Sequence, residues 1–151
     1  MSFRLLVPRS LLEGLIAQAV AERPNECCGL LAGVREEGKM GEGSAATIGR
    51  VLRRYPLVNA LASPREFLSD GRSMLDADKD MRLRGLDLLA VYHSHPTSHA
   101  VPSRTDLARH GMEEVVCLIV SLAADPPTVR GWWLSEANYQ EAEWDIKEGT
   151  D

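Results

Sequence analysis

Leu86-Asp87-Leu88-Leu89-Ala90-Val91-Tyr92-His93-Ser94-His95-Pro96 is the stretch that decides the fold. It is short, apolar and rich in branched residues, bounded by Gly85 on one side and Pro96 on the other, so it predicts a central β-strand rather than a helix. Side chains alternate faces along a strand. His93 and His95 therefore point the same way and Ser94 points to the opposite face, which leaves two imidazoles as a pincer at a strand end.

Working toward the amino terminus, Asp70 to Arg84 carries Met74, Leu75, Asp78, Met81 and Arg82 on a mixed helical face, with Gly85 as a natural C-cap. Ala45 to Tyr55 and Glu26-Cys27-Cys28-Gly29-Leu30-Leu31-Ala32-Gly33-Val34 read as two strands. The Gly- and Ser-rich, charged segment Arg35 to Ser44 is expected to turn between them, giving a hairpin. Leu11, Leu12, Leu15, Ile16, Ala19 and Val20 recur at helical spacing, so a one-faced helix is expected from a Ser10 cap to Pro24, preceded by a short strand over Phe3 to Val7. Toward the carboxyl terminus, Ser103 is expected to open a short helix that ends near His110 and Gly111. Val115 to Leu122 and Thr128 to Leu134 read as strands separated by Asp125-Pro126-Pro127. This order predicts a single α/β domain, a mixed and mostly antiparallel sheet with flanking helices, over residues 1–135. Residues 136–151 form an acidic tail, with two readings open: part of the domain, or partly disordered.

The composition bounds the function. A chain of 151 residues, 44% hydrophobic and 26% charged, is large enough to bury a core. A net charge of −5 with no Lys/Arg run argues against nucleic acid as partner. The longest apolar runs are far shorter than the roughly 18 residues of a membrane span. The start Met1-Ser2-Phe3-Arg4 lacks the features of a secretory signal, so the default location is cytoplasmic. Three cysteines, two of them adjacent at Cys27 and Cys28, do not form a disulfide framework.

Zinc takes neutral imidazole nitrogens and carboxylate oxygens, and a catalytic zinc keeps one of its positions for water. His93 and His95 supply the imidazoles, and Asp106, eleven residues after His95, is the natural third ligand if its helix presents the first turn toward the metal. Hydrolysis also needs a proton carrier. Glu26, beside apolar residues that would raise its pKa, is the candidate. Ser103 could donate its hydroxyl to an oxyanion. Ser-x-x-Asp at a helix start is equally a capping arrangement in which both side chains only satisfy backbone donors, and the residues alone favour the cap.

These residues carry a family resemblance. Glu26, His93-Ser94-His95-Pro96, Pro102-Ser103 and Asp106 resemble the metalloprotease motif of the JAMM (MPN-plus) family, with Ser103 and Asp106 on the family spacing when counted from His95. Glu26 to Gly33 resembles the family's acid-bearing strand, and Asn59 through Phe67 its asparagine to Ser-Pro-Arg segment. The resemblance covers residues 3 to 135. It implies a cytidine-deaminase-like MPN fold, His93, His95 and Asp106 as ligands of one zinc ion with a bound water, Glu26 as general acid/base and Ser103 as oxyanion donor. It also implies cleavage of an amide bond after the C-terminal Gly-Gly of a ubiquitin-like protein. The minimal loop from His95 to Ser103 favours a sulfur-carrier tail over a ubiquitin-chain linkage.

Two alternatives stay open: a non-catalytic MPN-type interaction module, and a deubiquitinase-like isopeptidase. A thiol hydrolase using Cys27 or Cys28 is disfavoured because both lie in an apolar run with no local base, and Cys117 reads as core. His99 reads as a solvated loop residue and His110 as a complement to a helix dipole. Trp132 and Trp133 should face opposite sides of the last strong strand. An exposed tryptophan, there or at Trp144, would suit a homodimer contact or a peptide groove, and packing against the domain is the simpler expectation.

Overall fold

The computed structural model describes residues 2–40, 44–109 and 114–149. The elements run β1 (Arg4–Pro8), α1 (Arg9–Glu22), β2 (Cys28–Met40), β3 (Ser44–Leu57), α2 (Gly71–Arg84), β4 (Asp87–His95), α3 (Arg104–Arg109), β5 (Val116–Ser121), β6 (Thr128–Ser135), β7 (Asn138–Glu141) and β8 (Trp144–Lys147). Among the described residues, eight strands join one sheet in the order β7-β6-β5-β4-β2-β3-β1-β8. The pairs β2–β3, β2–β4, β5–β6 and β6–β7 are antiparallel. The pairs β1–β3, β1–β8 and β4–β5 are parallel. This is the mixed, mostly antiparallel α/β architecture expected from the sequence, with β4 in its interior.

Helices cover both faces. Leu12, Leu15 and Ala19 of α1 pack on Leu5, Val7, Leu31, Val51, Leu89 and Tyr92. Ala77 and Met81 of α2 pack on Cys28, Leu30, Ala32 and Leu57, which alternation places on the opposite face. Leu15 is fully buried, so truncating it to Ala would cost about 2–5 kcal/mol. The centre of the sheet also depends on Gly29, where a Cβ would fall 2.1 Å from the Tyr92 ring. Helix α2 begins and ends on chemistry visible in the sequence. The Asp70 carboxylate accepts from the Ser73 amide at 3.0 Å, and Gly85 closes the helix in the left-handed conformation at φ 66°.

Some local expectations are corrected. Ser10 does not cap α1: Pro8 holds the N-cap position without a side-chain hydrogen bond, and Ser10 lies inside the helix. Proline's fixed φ and missing N–H suit a strand-to-helix junction, so α1 starts directly from β1. The charged segment after Val34 continues β2 to Met40, paired to β3 along its length. The tail contains two strands, and β8 pairs in parallel with β1, bringing Trp144 and Ile146 against the α1-side core. Arg4 and Arg9 tie the same segment down through Asp145 and Glu148. Among the described residues no helix is long and apolar enough to cross a membrane.

Candidate metal centre

Strand pairing brings the distant acid to the histidines. β2 and β4 run antiparallel with Cys28 opposite His93, and the Ser94 amide donates to the Cys27 carbonyl at 3.2 Å. Continued by two residues, that register directs Glu26 toward His95, and the two groups are close enough for their charges to act on one another. Ser94 points the other way, as alternation requires, and its hydroxyl accepts from the Cys27 amide at 2.8 Å. Pro96 ends the strand, and a loop over residues 96–103 returns to α3, whose first turn carries Asp106.

His93, His95 and Asp106 are all buried, and one ligand atom from each lies within 4.8 Å of the others. The Asp106 carboxylate faces both rings: Oδ1 is 3.2 Å from His93 Nε2, and Oδ2 is 3.0 Å from His95 Nε2. His95 Nδ1 lies 2.7 Å from the His99 carbonyl, which can only accept. The proton of a neutral ring is therefore fixed on Nδ1, leaving a lone pair on Nε2 directed at a carboxylate oxygen. Two lone pairs at that distance require a proton or a cation between them. Among the described residues, Glu26 Oε1 has no hydrogen-bond partner, and His93 Nε2 has none beyond its 3.2 Å approach to Asp106 Oδ1. Two imidazole nitrogens and one carboxylate within 4.8 Å of one another, one of those nitrogens buried without a hydrogen-bond partner among the described residues, fit a divalent metal ion of the borderline class that accepts nitrogen and oxygen.

Electrostatics separates the two acids. Burial pushes Glu26 up to about 8, with His95 opposing and the Asp106 and Glu66 charges adding to the rise. Burial also opposes the Asp106 charge, but the His93 and His95 rings and the Ser103 amide outweigh it and hold this carboxyl well below the usual range. The His95 imidazole, pushed down by burial, is raised on balance by Asp106, the His99 carbonyl and Glu26. The centre thus holds one firmly ionised carboxylate and one that is mostly protonated near neutrality in the absence of metal.

Ser103 and Asp106 form the reciprocal pair of a capping box: the Ser103 amide donates to Asp106 Oδ2 at 2.9 Å and the Asp106 amide donates to Ser103 Oγ at 3.0 Å. The cap therefore exists, and it is what aims Asp106 at the imidazoles. It uses a lone pair of Oγ and leaves the hydroxyl hydrogen without an acceptor among the described residues.

Residues beyond the predicted set also shape the centre. Phe67 stacks on the His93 ring at 4.8 Å between centroids. Asn59, buried, donates to the carbonyls of Glu26 and Glu66 and accepts from the amides of Leu61 and Leu68, fixing the segment that carries Phe67. Its position in a polar, proline-bounded stretch was the available sequence signal. The Cys117 sulfur lies 3.9 Å from His93 Nδ1. The exposed His99 side chain is not drawn in; its backbone carbonyl is. His110 lies outside the described residues. Cys27 and Cys28 are buried, with thiols pushed by burial up to about 12 and about 11, which makes them poor nucleophiles. Trp132 is buried and Trp133 half-buried, on opposite faces of β6.

A family profile described as prokaryotic homologs of the JAB domain matches residues 8–135. The chain is 41% identical over 104 residues to a Thermus thermophilus protein named as a probable TtuB-protein conjugate cleaving protease, covering 68% of this chain and 61% of that protein. It is 33% identical over 103 residues to the CysO-cysteine peptidase of Mycobacterium tuberculosis, covering 68% of this chain and 63% of the peptidase. The matches thus span less than two thirds of the length of these curated relatives. A desampylase of Pyrococcus furiosus is 29% identical over 134 residues, 89% of this chain and 84% of the enzyme. Among solved structures, a protein from Desulfitobacterium hafniense superposes with a TM-score of 0.80 at 34% identity, covering 96% of this chain and 94% of that one.

Proposed function

The chain belongs to the family of prokaryotic homologs of the JAB domain, and from that premise we propose that it is a zinc-dependent peptidase or isopeptidase acting on a ubiquitin-like sulfur-carrier protein. The observation that carries the proposal is the buried meeting of two imidazole Nε2 atoms with the Asp106 carboxylate, with the Glu26 carboxyl near enough for its charge to act on His95. Relatives named for cleaving TtuB conjugates and for a CysO-cysteine peptidase activity support the substrate class.

In this reading His93, His95 and Asp106 hold the ion. Zinc, when bound, lowers the pKa of water and polarises a carbonyl. Glu26 removes a proton from the attacking water and delivers it to the leaving amine, a role for which a carboxyl held near neutrality is suited. Ser103 donates its uncommitted hydroxyl hydrogen to the oxygen that gains charge as the scissile carbonyl becomes tetrahedral. Asp106 stays ionised throughout, since its surroundings hold it far below neutrality. A Gly-Gly tail suits the centre because residues without side chains let their backbone approach buried ligands closely.

Mass spectrometry of ubiquitin-like carriers extended beyond Gly-Gly, incubated with zinc-loaded protein and with a chelated control, tests the reading. Release of the extension after the second glycine, only with zinc, is expected. Carriers left intact in both reactions would overturn it.

A further inference from the structure

Three consecutive backbone carbonyls of the loop between His95 and Ser103 are each met by a side chain of the sheet. The carbonyl of Ser98 accepts from Ser121 Oγ at 2.6 Å, that of His99 faces His95 Nδ1 at 2.7 Å, and that of Ala100 accepts from Trp132 Nε1 at 2.8 Å. Three adjacent strands, β5, β4 and β6, thus each grip one of three successive peptide groups. Ser121 and Trp132 are buried, and Ser121 sits beside His95 in the parallel β4–β5 register.

Trp132 is itself held from the sheet edge. The Arg130 guanidinium lies 4.6 Å over its ring, and Glu141 of β7 holds that guanidinium through two hydrogen bonds at 2.8 and 2.9 Å. The Tyr139 ring meets the indole edge to face at 5.2 Å. Ala100, Val101 and Leu107 of the loop and α3 pack into the same cluster as Trp132, Ile119 and Leu134.

We propose that Ser121 and Trp132 are positioning residues for the metal centre: by pinning the carbonyls on either side of His99, they fix the acceptor that sets the His95 tautomer and the loop that delivers Asp106. This rests on His93, His95 and Asp106 being the metal ligands. A backbone carbonyl has no side chain to hold it in place, so its usefulness as a partner for a ligand histidine depends on its neighbours being immobile. Loss of an outer partner of a ligand histidine weakens metal binding by about 10–100-fold, and loosening that partner acts in the same direction.

The test is competition for zinc between the metal-free full-length protein and a chromophoric chelator, alongside the absorption spectrum of the cobalt-substituted protein. Trp132→Phe keeps an aromatic ring and removes the N–H; Ser121→Ala removes the hydroxyl. Each is expected to weaken zinc binding about tenfold and to alter the cobalt spectrum, the pair together more than either alone, with Ser121→Thr restoring wild-type binding. Leu134→Ala, in the same cluster without a bond to the loop, is expected to lower the urea midpoint and leave zinc affinity unchanged. Wild-type affinity and an unaltered cobalt spectrum in Ser121→Ala and Trp132→Phe would overturn the proposal while Asp106→Ala abolished binding. Equal weakening by Leu134→Ala would also overturn it, reducing both residues to general packing. Equal binding by Asp106→Ala and the wild type would remove the metal reading and this inference together.

Discussion

Replacing Glu26 with Gln exchanges one oxygen for nitrogen in a side chain only 3% exposed, so volume is kept and only the titrating group is lost. In the metal-free protein the carboxyl titrates near 8 against an ordinary value of 4.5. Because the folded value lies above the unfolded one, its stabilising contribution is fully present below about pH 4.5 and is lost as pH rises through 8. At about 1.4 kcal/mol for each unit of that interval, the loss reaches at most about 5 kcal/mol. Urea unfolding of chelated wild type and Glu26→Gln at acidic, neutral and alkaline pH measures it. The wild type should fall away from the variant as pH rises, with the two converging in acid. Parallel curves would show that Glu26 is not held neutral by burial. With metal restored, the variant should bind the ion normally and lose about 10²–10⁴-fold in hydrolysis, the span of general acid–base catalysis. Full activity would take Glu26 out of the chemistry.

Other consequences follow from the same geometry. Iodoacetamide at mildly alkaline pH should leave Cys27 and Cys28 unmodified in the native protein, because both thiols are buried and pushed up to about 12 and about 11, and activity should respond to chelators but not to alkylation; rapid labelling detected by peptide mass mapping would contradict this. Metal affinity should fall with acid from a pH above 6.5 downward, since the His95 pKa is raised above that value and its proton competes for Nε2; an affinity flat down to pH 5 would exclude His95 as a ligand. Gly29→Ala should destabilise the fold by at least about 1–3 kcal/mol through overpacking against Tyr92, read as a lowered urea midpoint. Asn59→Ala should lower stability by about 1–3 kcal/mol for each buried backbone group left unpaired, among them the Glu26 carbonyl, and a midpoint equal to the wild type would contradict that accounting.

The parts of the fold legible in the sequence are those whose signal is local. The apolar run before His93 and the C-capping Gly85 each declare themselves within a few residues, and β4 and the end of α2 lie where these signals place them. The tail strands do not. β7 is exposed at all four positions and shows no hydrophobic period, and β8, though Trp144 and Ile146 alternate with Asp145 and Lys147, is only four residues long and gains its place from β1, some 140 residues earlier in the chain. The same contrast runs through the centre. Two-residue alternation suffices to put His93 and His95 together, and the serine-to-aspartate spacing suffices for the cap. That Glu26 faces His95 depends on the β2–β4 register, and the roles of Asn59, Phe67 and the His99 carbonyl depend on how loops close over the sheet, which periodicity does not encode. The capping hydrogen bonds are also what orient Asp106 toward the imidazoles.

Metal content, measured on the protein as purified and again after chelation and titration with zinc, decides whether His93, His95 and Asp106 hold an ion. One zinc ion per chain is expected in the wild type, regained on titration, and none in His93→Ala, His95→Ala or Asp106→Ala, with hydrolysis following occupancy in every sample. A wild-type chain that takes up no stoichiometric zinc, or ligand variants that take up as much as the wild type, would contradict it.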